Sequence, residues 1–220
     1  MLSSRLRSTA NILIIIAIET LFFQFNGALA GTYDDLLGAI NMGDVPGAEL
    51  LFDKGVDVNT TDVGGNTLLM ISVQEDHPDM VARLLQHKAS VNARNRYGET
   101  ALMLAAAKGD LDIVKSLVEH GAGVNVQGWT PLIYAAWRGR IEVVKYLLAM
   151  GADIDAVSPN GISALMMAVR GGQYDAVKLL LWEVADPNLK SDSGVTAMDW
   201  AKKAGNSEIA ELLKEAGAKD

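Results

Sequence analysis

The chain has 220 residues, half of them hydrophobic, with 19 basic and 27 acidic side chains and a net charge of −8. That length and apolar content suffice for one domain with a real core, while the negative charge argues against general binding to phosphate backbones. There is no cysteine, which removes disulfides, thiolate metal sites and a lipoprotein anchor from consideration.

Residues 1–30 read as a secretory signal peptide. Arg5 and Arg7 precede the apolar run Ile12 to Ile18, which continues through Leu21, Phe22 and Phe23, and Ala28-Leu29-Ala30 fits the small-x-small cleavage pattern. Glu19 interrupts the run, leaving far fewer than the ~20 apolar residues that a membrane-spanning helix needs. Cleavage after Ala30 is therefore expected, with no stable membrane insertion afterwards. Because the segment carries Arg5, Arg7 and Glu19, its removal leaves a net charge of −9, suited to a soluble protein.

From about residue 34 the chain repeats itself. Gly65, Gly98, Gly128, Gly161 and Gly194 are separated by steps of 33, 30, 33 and 33 residues. A second series, Gly55, Lys88, Gly121, Gly151, Val184 and Gly217, steps by 33, 33, 30, 33 and 33. Two independent ladders thus agree on the period and on where the short step falls, the signature of a repeat array. The expected units are 34–61, 62–94, 95–127, 128–157, 158–190 and 191–220.

The periodicity also places the helices. Thr67, Thr100, Thr130, Ser163 and Thr196 each precede an apolar-periodic stretch, the N-cap position of a first helix. One turn on, Ala39, Ser72, Ala105, Ala135, Ala168 and Ala201 recur at a single register, small enough to let neighbouring helices approach. A second helix begins near Asp44, His77, Asp110, Arg140, Gln173 and Asn206. Asp79, Asp112, Glu142, Asp175 and Glu208 in its first turn complement the helix dipole, and Pro78 fits the first helical position. Leu51, Leu84, Leu117, Leu147, Leu180 and Leu213 form a ladder of core residues, each contributing about 1.5–3 kcal/mol when buried. The first unit lacks an opening turn, and the last is rich in exposed-type charges, as terminal caps require. Lys88 and Val184 replace the glycine that normally ends the second helix in a left-handed turn. A β-branched residue is strained there, so the helix before Val184 is expected to end differently.

The phrase Gly128-Trp129-Thr130-Pro131-Leu132, its variants at Gly65, Gly98, Gly161 and Gly194, and the closing phrases Gly121-Ala122-Gly123-Val124-Asn125 and Gly151-Ala152-Asp153-Ile154-Asp155 closely resemble the ankyrin-repeat family. The histidine that the family places after T-P-L is replaced by Met70, Met103, Ile133, Met166 and Asp199. The resemblance covers residues 34 to 220 and implies an all-α solenoid of about six helix-turn-helix units with short β-turn fingers.

Chemistry-bearing motifs are scarce. No phosphate-cradling loop, nucleophile elbow or Cys/His metal spacing occurs, so the expectation is a protein that is not an enzyme and holds no cofactor and no metal. His87 and His120, 33 residues apart, read as a shared solvent-facing position, and His77 as structural. Met70, Met103 and Met166 share a first-helix register and read as gap-fillers rather than soft-metal ligands. Carboxylate pairs such as Asp153/Asp155 read as turn residues. Trp182 and Trp200 read as partly buried core.

In ankyrin-like solenoids the fingers and the exposed side of each first helix form a concave face where partners sit. Carried onto this chain, that face gathers Arg94, Arg96, Tyr97, Lys108, Trp129, Trp137, Arg138 and Arg170, the residue types enriched at interface hot spots. Only Val126 and Gln127 separate Asn125 from Gly128, so the finger between the third and fourth units has lost three residues, and the notch it leaves can be lined by Trp129 and Trp137. The expected function is that of a periplasmic module binding another protein, one with an acidic surface, since cations on an acidic chain would steer it there; no nucleic acid is expected. The alternatives are a secreted effector or toxin-antagonist acting outside the cell envelope, and a binder of small ligands or metals.

Overall fold

A computed structural model describes residues 32–219. The expected signal peptide, residues 1–30, lies outside the described residues. Among these the chain is all-α: helix α1 spans 32–42 and eleven more follow, with no strand and two isolated β-bridges, Thr61 to Thr67 and Val157 to Ser163. The contacts divide the chain into two units, with the division between Asp57 and Val58.

The first unit holds α1 and α2 (Val45–Asp53). The Asp44 carboxylate caps α2 by accepting from the Gly47 N–H at 3.0 Å, and Leu36, Ile40, Ala48 and Leu51 are buried.

The second unit holds five helix pairs: α3 (Leu68–Gln74) and α4 (Pro78–Gln86), α5 (Ala101–Lys108) and α6 (Leu111–Glu119), α7 (Pro131–Trp137) and α8 (Ile141–Ala149), α9 (Ala164–Arg170) and α10 (Tyr174–Trp182), and α11 (Ala197–Ala204) and α12 (Ser207–Glu215). The first helices of successive pairs pack on one another, as do the second helices, making two layers. The five hydroxyls expected as caps do that work: Thr67, Thr100, Thr130, Ser163 and Thr196 each accept from the backbone N–H three residues on. Every second helix of this unit starts from the N-cap position expected, His77, Asp110, Arg140, Gln173 and Asn206, where only Asp110 and Asn206 cap it with their side chains. Between the layers lie the small residues Ser72, Ala105, Ala135, Ala168 and Ala201 and the leucines Leu84, Leu117, Leu147, Leu180 and Leu213, all with no exposed surface. The three register methionines, Met70, Met103 and Met166, are also core, and the Met103 sulfur accepts from the Thr100 N–H at 3.4 Å.

Two expectations fail. The helix before Val184 does not end differently: Val184 takes φ +67° and Lys88 φ +61°, the left-handed turn that glycine makes at Gly121 and Gly151. The cause is the same pair of closing hydrogen bonds. Val184 donates to Leu181 O at 3.1 Å and Ala185 to Leu180 O at 3.0 Å, matching Gly121 to Val118 O and Ala122 to Leu117 O. With Ala185 buried beyond it, the turn is imposed by tertiary packing and the side chain is strained into it. Trp182 is not core either: it is 82% exposed. Its register mates Gln86, Glu119, Ala149 and Glu215 are all exposed, so position on the helix overrides the apolar character of the indole.

A polar seam stitches the repeats together. Asn59 accepts from the Ser90 N–H, Asn92 from Gly123, Asn125 from Asp153, Asp155 from Asp186 and Asn188 from Lys219, at 2.8–2.9 Å. The Asn92, Asn125 and Asn188 side-chain amides also donate to the carbonyls of Gly121, Gly151 and Gly217. Asp155, read from the sequence as a local turn residue, is thus a bond between repeats.

Candidate functional site

Each finger is a closed backbone loop with a polar side chain at its base. Asp62, Asn95, Ser158 and Ser191 donate their N–H to the carbonyls of Asn66, Glu99, Ile162 and Val195. The same four side chains accept the return N–H four residues on, at 2.8–3.1 Å. Burial alone would raise the Asp62 pKa, but bonds from the Asn66 amide and the Asn66 and Gly64 N–H groups, with the Arg96 charge, hold it below its ordinary value.

The fourth repeat cannot build this loop. Elsewhere the stitching residue precedes the finger base by three positions: Asn59 and Asp62, Asn92 and Asn95, Asp155 and Ser158, Asn188 and Ser191. The three lost residues make the two positions coincide at Asn125. Asn125 serves the stitch, and among the described residues no backbone bond closes a finger from 125 to 129.

In place of the finger is a groove of about 320 Å³, lined by Trp129, Ile133, Tyr134, Trp137, Met167 and Arg170. Trp129 meets Tyr134 edge to face, with ring centres 6.2 Å apart at 72°. Tyr134 donates its hydroxyl to Glu99 Oε1 at 3.0 Å, and Asn95 donates to the other carboxylate oxygen. Burial first, then the bond to Glu99 and its charge, push the Tyr134 phenol well above its ordinary value. The Arg138 guanidinium lies 4.2 Å from the centre of the Trp137 ring, and that of Arg170 lies 5.6 Å from the Trp200 ring. A second depression begins at Arg170 and is lined by Trp200, Lys203 and Ala204.

The eight residues singled out in the sequence fall in three places. Trp129, Trp137 and Arg170 line the groove, with Arg138 stacked on Trp137. Arg94 and Arg96 are exposed on the preceding finger, and Tyr97 is 80% exposed beside them. Arg94 donates to Gly98 O at 2.9 Å and Gln127 O at 3.2 Å, bracing the shortened loop. Lys108 donates to Gln74 O at 2.8 Å and lies 3.7 Å from Asp76, closing the end of α3. Sequence reasoning did not assign the buried Ile133 and Met167 or the half-buried Tyr134 to the groove, nor Lys203 to the second depression; Trp200 is half-buried there, as its helix position led one to expect. The signal was the period: Tyr134, Met167 and Trp200 occupy one register of successive first helices, and Trp137, Arg170 and Lys203 another.

Comparison with known proteins agrees with this architecture. The family profile described as "Ankyrin repeats (3 copies)" matches residues 36–127, 89–158 and 150–220, and the chain belongs to that family. An ankyrin repeat domain from Acinetobacter baumannii AYE is 31% identical, with a TM-score of 0.73 over 84% of this chain and 98% of that one. The human ASB11 ankyrin repeat domain is 28% identical, with a TM-score of 0.75 over 84% of each chain. A chain from the structure of the predatory endopeptidase Bd0816 of Bdellovibrio bacteriovorus in complex with immunity protein Bd3460 is 30% identical, with a TM-score of 0.72 over 82% of this chain and 97% of that one. No curated protein sequence matches significantly. Ankyrin repeats are in general protein–protein interaction modules, and this chain has that class of scaffold.

Proposed function

We propose that this chain is a non-catalytic protein-binding module of the bacterial periplasm, exported by residues 1–30 and holding a partner with an acidic surface on its first-helix and finger face. The observation that carries the reading is the groove at the missing finger: apolar walls rimmed by Arg138 and Arg170 on a chain of net charge −8. Aromatic and arginine side chains around a recess are the composition of binding hot spots. The test is crosslinking and capture from the producing cell's envelope, comparing the tagged full chain with a Trp129→Ala/Trp137→Ala/Arg138→Ala variant that keeps its helical circular dichroism. A protein captured by the first and lost by the second supports the reading, and equal capture moves the site elsewhere. Recovery of a chain beginning at Gly31 from the periplasmic fraction supports the location, and exclusive recovery from the cytoplasm or medium overturns it.

A second reading is supported by the likeness to a chain of the endopeptidase–immunity protein complex: the partner is an enzyme held inactive. It predicts that the captured protein has a hydrolytic activity that the wild-type chain suppresses and the triple variant does not.

A further inference from the structure

We propose that the partner is gripped through one extended segment, which seats a large apolar side chain in the groove between α7 and α9 and, about three residues away, a carboxylate between Arg170 and Lys203. This rests on the protein-binding reading and narrows it to a chemistry.

The two depressions are consecutive because Arg170 belongs to both. The first has the walls of an apolar pocket, Trp129, Ile133, Trp137 and Met167, with the Tyr134 hydroxyl already turned to Glu99. Its volume of about 320 Å³ is at the lower end of the roughly 300–1,000 Å³ of small-molecule pockets, room for one large side chain. The second has cations on both flanks. Among the described residues, none of Arg138, Arg170 and Lys203 forms an ion pair, whereas Lys108, Lys115 and Lys145 are each paired with a carboxylate. On a chain with an excess of acids, three unpaired cations on neighbouring first helices are a complementary surface for an anion. Arg170 is held in place by its contact with the Trp200 ring.

The spacing follows from the repeat. Trp137, Arg170 and Lys203 succeed one another at 33-residue steps on α7, α9 and α11. Packed helices lie about 8–10 Å apart, and an extended chain advances about 3.3 Å per residue. One repeat is thus crossed in about three residues. A strand of nucleic acid could also use aromatic rings and cations, but the net charge of −8 disfavours it.

The test uses the full chain in the form its host produces, with fluorescein-labelled glycine-serine decapeptides as probes. One carries Phe-x-x-Asp, and others carry Phe→Ala, Asp→Asn, or the Phe and Asp adjacent. The Phe-x-x-Asp peptide is expected to bind about tenfold more tightly than each of the others, the gain of a desolvated anchor or a charge-assisted contact. Arg170→Gln and Lys203→Gln, both at exposed positions, should remove the preference for Asp over Asn and flatten the salt dependence while leaving the preference for Phe. Trp182→Ala, on the opposite layer, should change neither. Indifference to the four peptides, or equal binding of an oligothymidine probe, overturns the inference. Peptide indifference with partner capture still sensitive to Trp129, Trp137 and Arg138 would leave the binding function standing and sink this chemistry alone. Loss of both would sink the function.

Discussion

Tyr134 and Glu99 are 35 residues apart in sequence and joined by a 3.0 Å hydrogen bond across the gap where a finger is missing. The bond ties the start of the fourth repeat to the base of the third repeat's finger, and so takes over part of the bracing that a complete neighbouring finger would give. Tyr134→Phe leaves one Glu99 oxygen without that donor at a half-buried position, and should cost about 1–2 kcal/mol in urea unfolding. A cost near zero would mean that water replaces the phenol without loss.

The same bond makes a prediction in alkali. The folded phenol titrates above its unfolded value, so the native state keeps a proton that the unfolded chain gives up first. The contribution is whole below the ordinary tyrosine pKa of about 10 and declines as pH rises past it. Wild type should therefore lose more stability than Tyr134→Phe on going from about pH 9 to about pH 11. Parallel losses in the two proteins would contradict the assignment.

Val184→Gly should stabilise the protein. The side chain is 82% exposed and sits at φ +67°, so little packing is lost, while a left-handed conformation costs an L-residue about 1–2 kcal/mol. Against this stands about 0.4–1 kcal/mol of extra unfolded-state entropy for glycine. A net gain of about 0.5–1 kcal/mol in the denaturation midpoint is the expected result, and a loss would place the strain elsewhere.

Leu147→Ala and Leu213→Ala remove side chains that are equally buried, yet should differ in kind. The first opens a cavity flanked by repeats on both sides and should cost about 2–5 kcal/mol of global stability. The second lies in α12, the last helix described, and should mainly raise hydrogen exchange in that helix. Equal global losses would be incompatible with nearest-neighbour stacking.

Asn125→Ala removes an acceptor for the Asp153 N–H and a donor to Gly151 O. Two neutral, exposed bonds lost together should cost about 1–2 kcal/mol, more than Asp155→Ala, whose carboxylate makes only the bond to the Asp186 N–H across the repeats. Thermal unfolding of the pair in parallel checks the order.

The helices were legible in the sequence because their signals are local. A hydroxyl before an apolar run caps the helix it precedes, and Thr67 through Thr196 did so without exception. What escaped depended on partners a whole repeat away. Asn59, Asn92, Asn125, Asp155 and Asn188 keep the 33, 33, 30, 33 rhythm, but short polar residues near glycine look like turn formers until the acceptor in the next repeat is seen. Trp182 misled by its type, when its register with Glu119 and Glu215 pointed to solvent. The notch was foreseen from the short step, with Trp129 and Trp137 on its walls. Tyr134 and Met167 were not, because a groove between two helices belongs to neither helix's own pattern.

The lost residues fall between a stitch and a finger, outside every helix, and the core leucines on either side, Leu117 and Leu147, remain fully enclosed. Length at that point is therefore invisible to the interior and decisive for the exterior. An in-frame loss of three codons is enough to open a groove in a uniform array, and a gain of three would close it, with the scaffold intact throughout. Such a chain can change its surface faster than it can change how it folds.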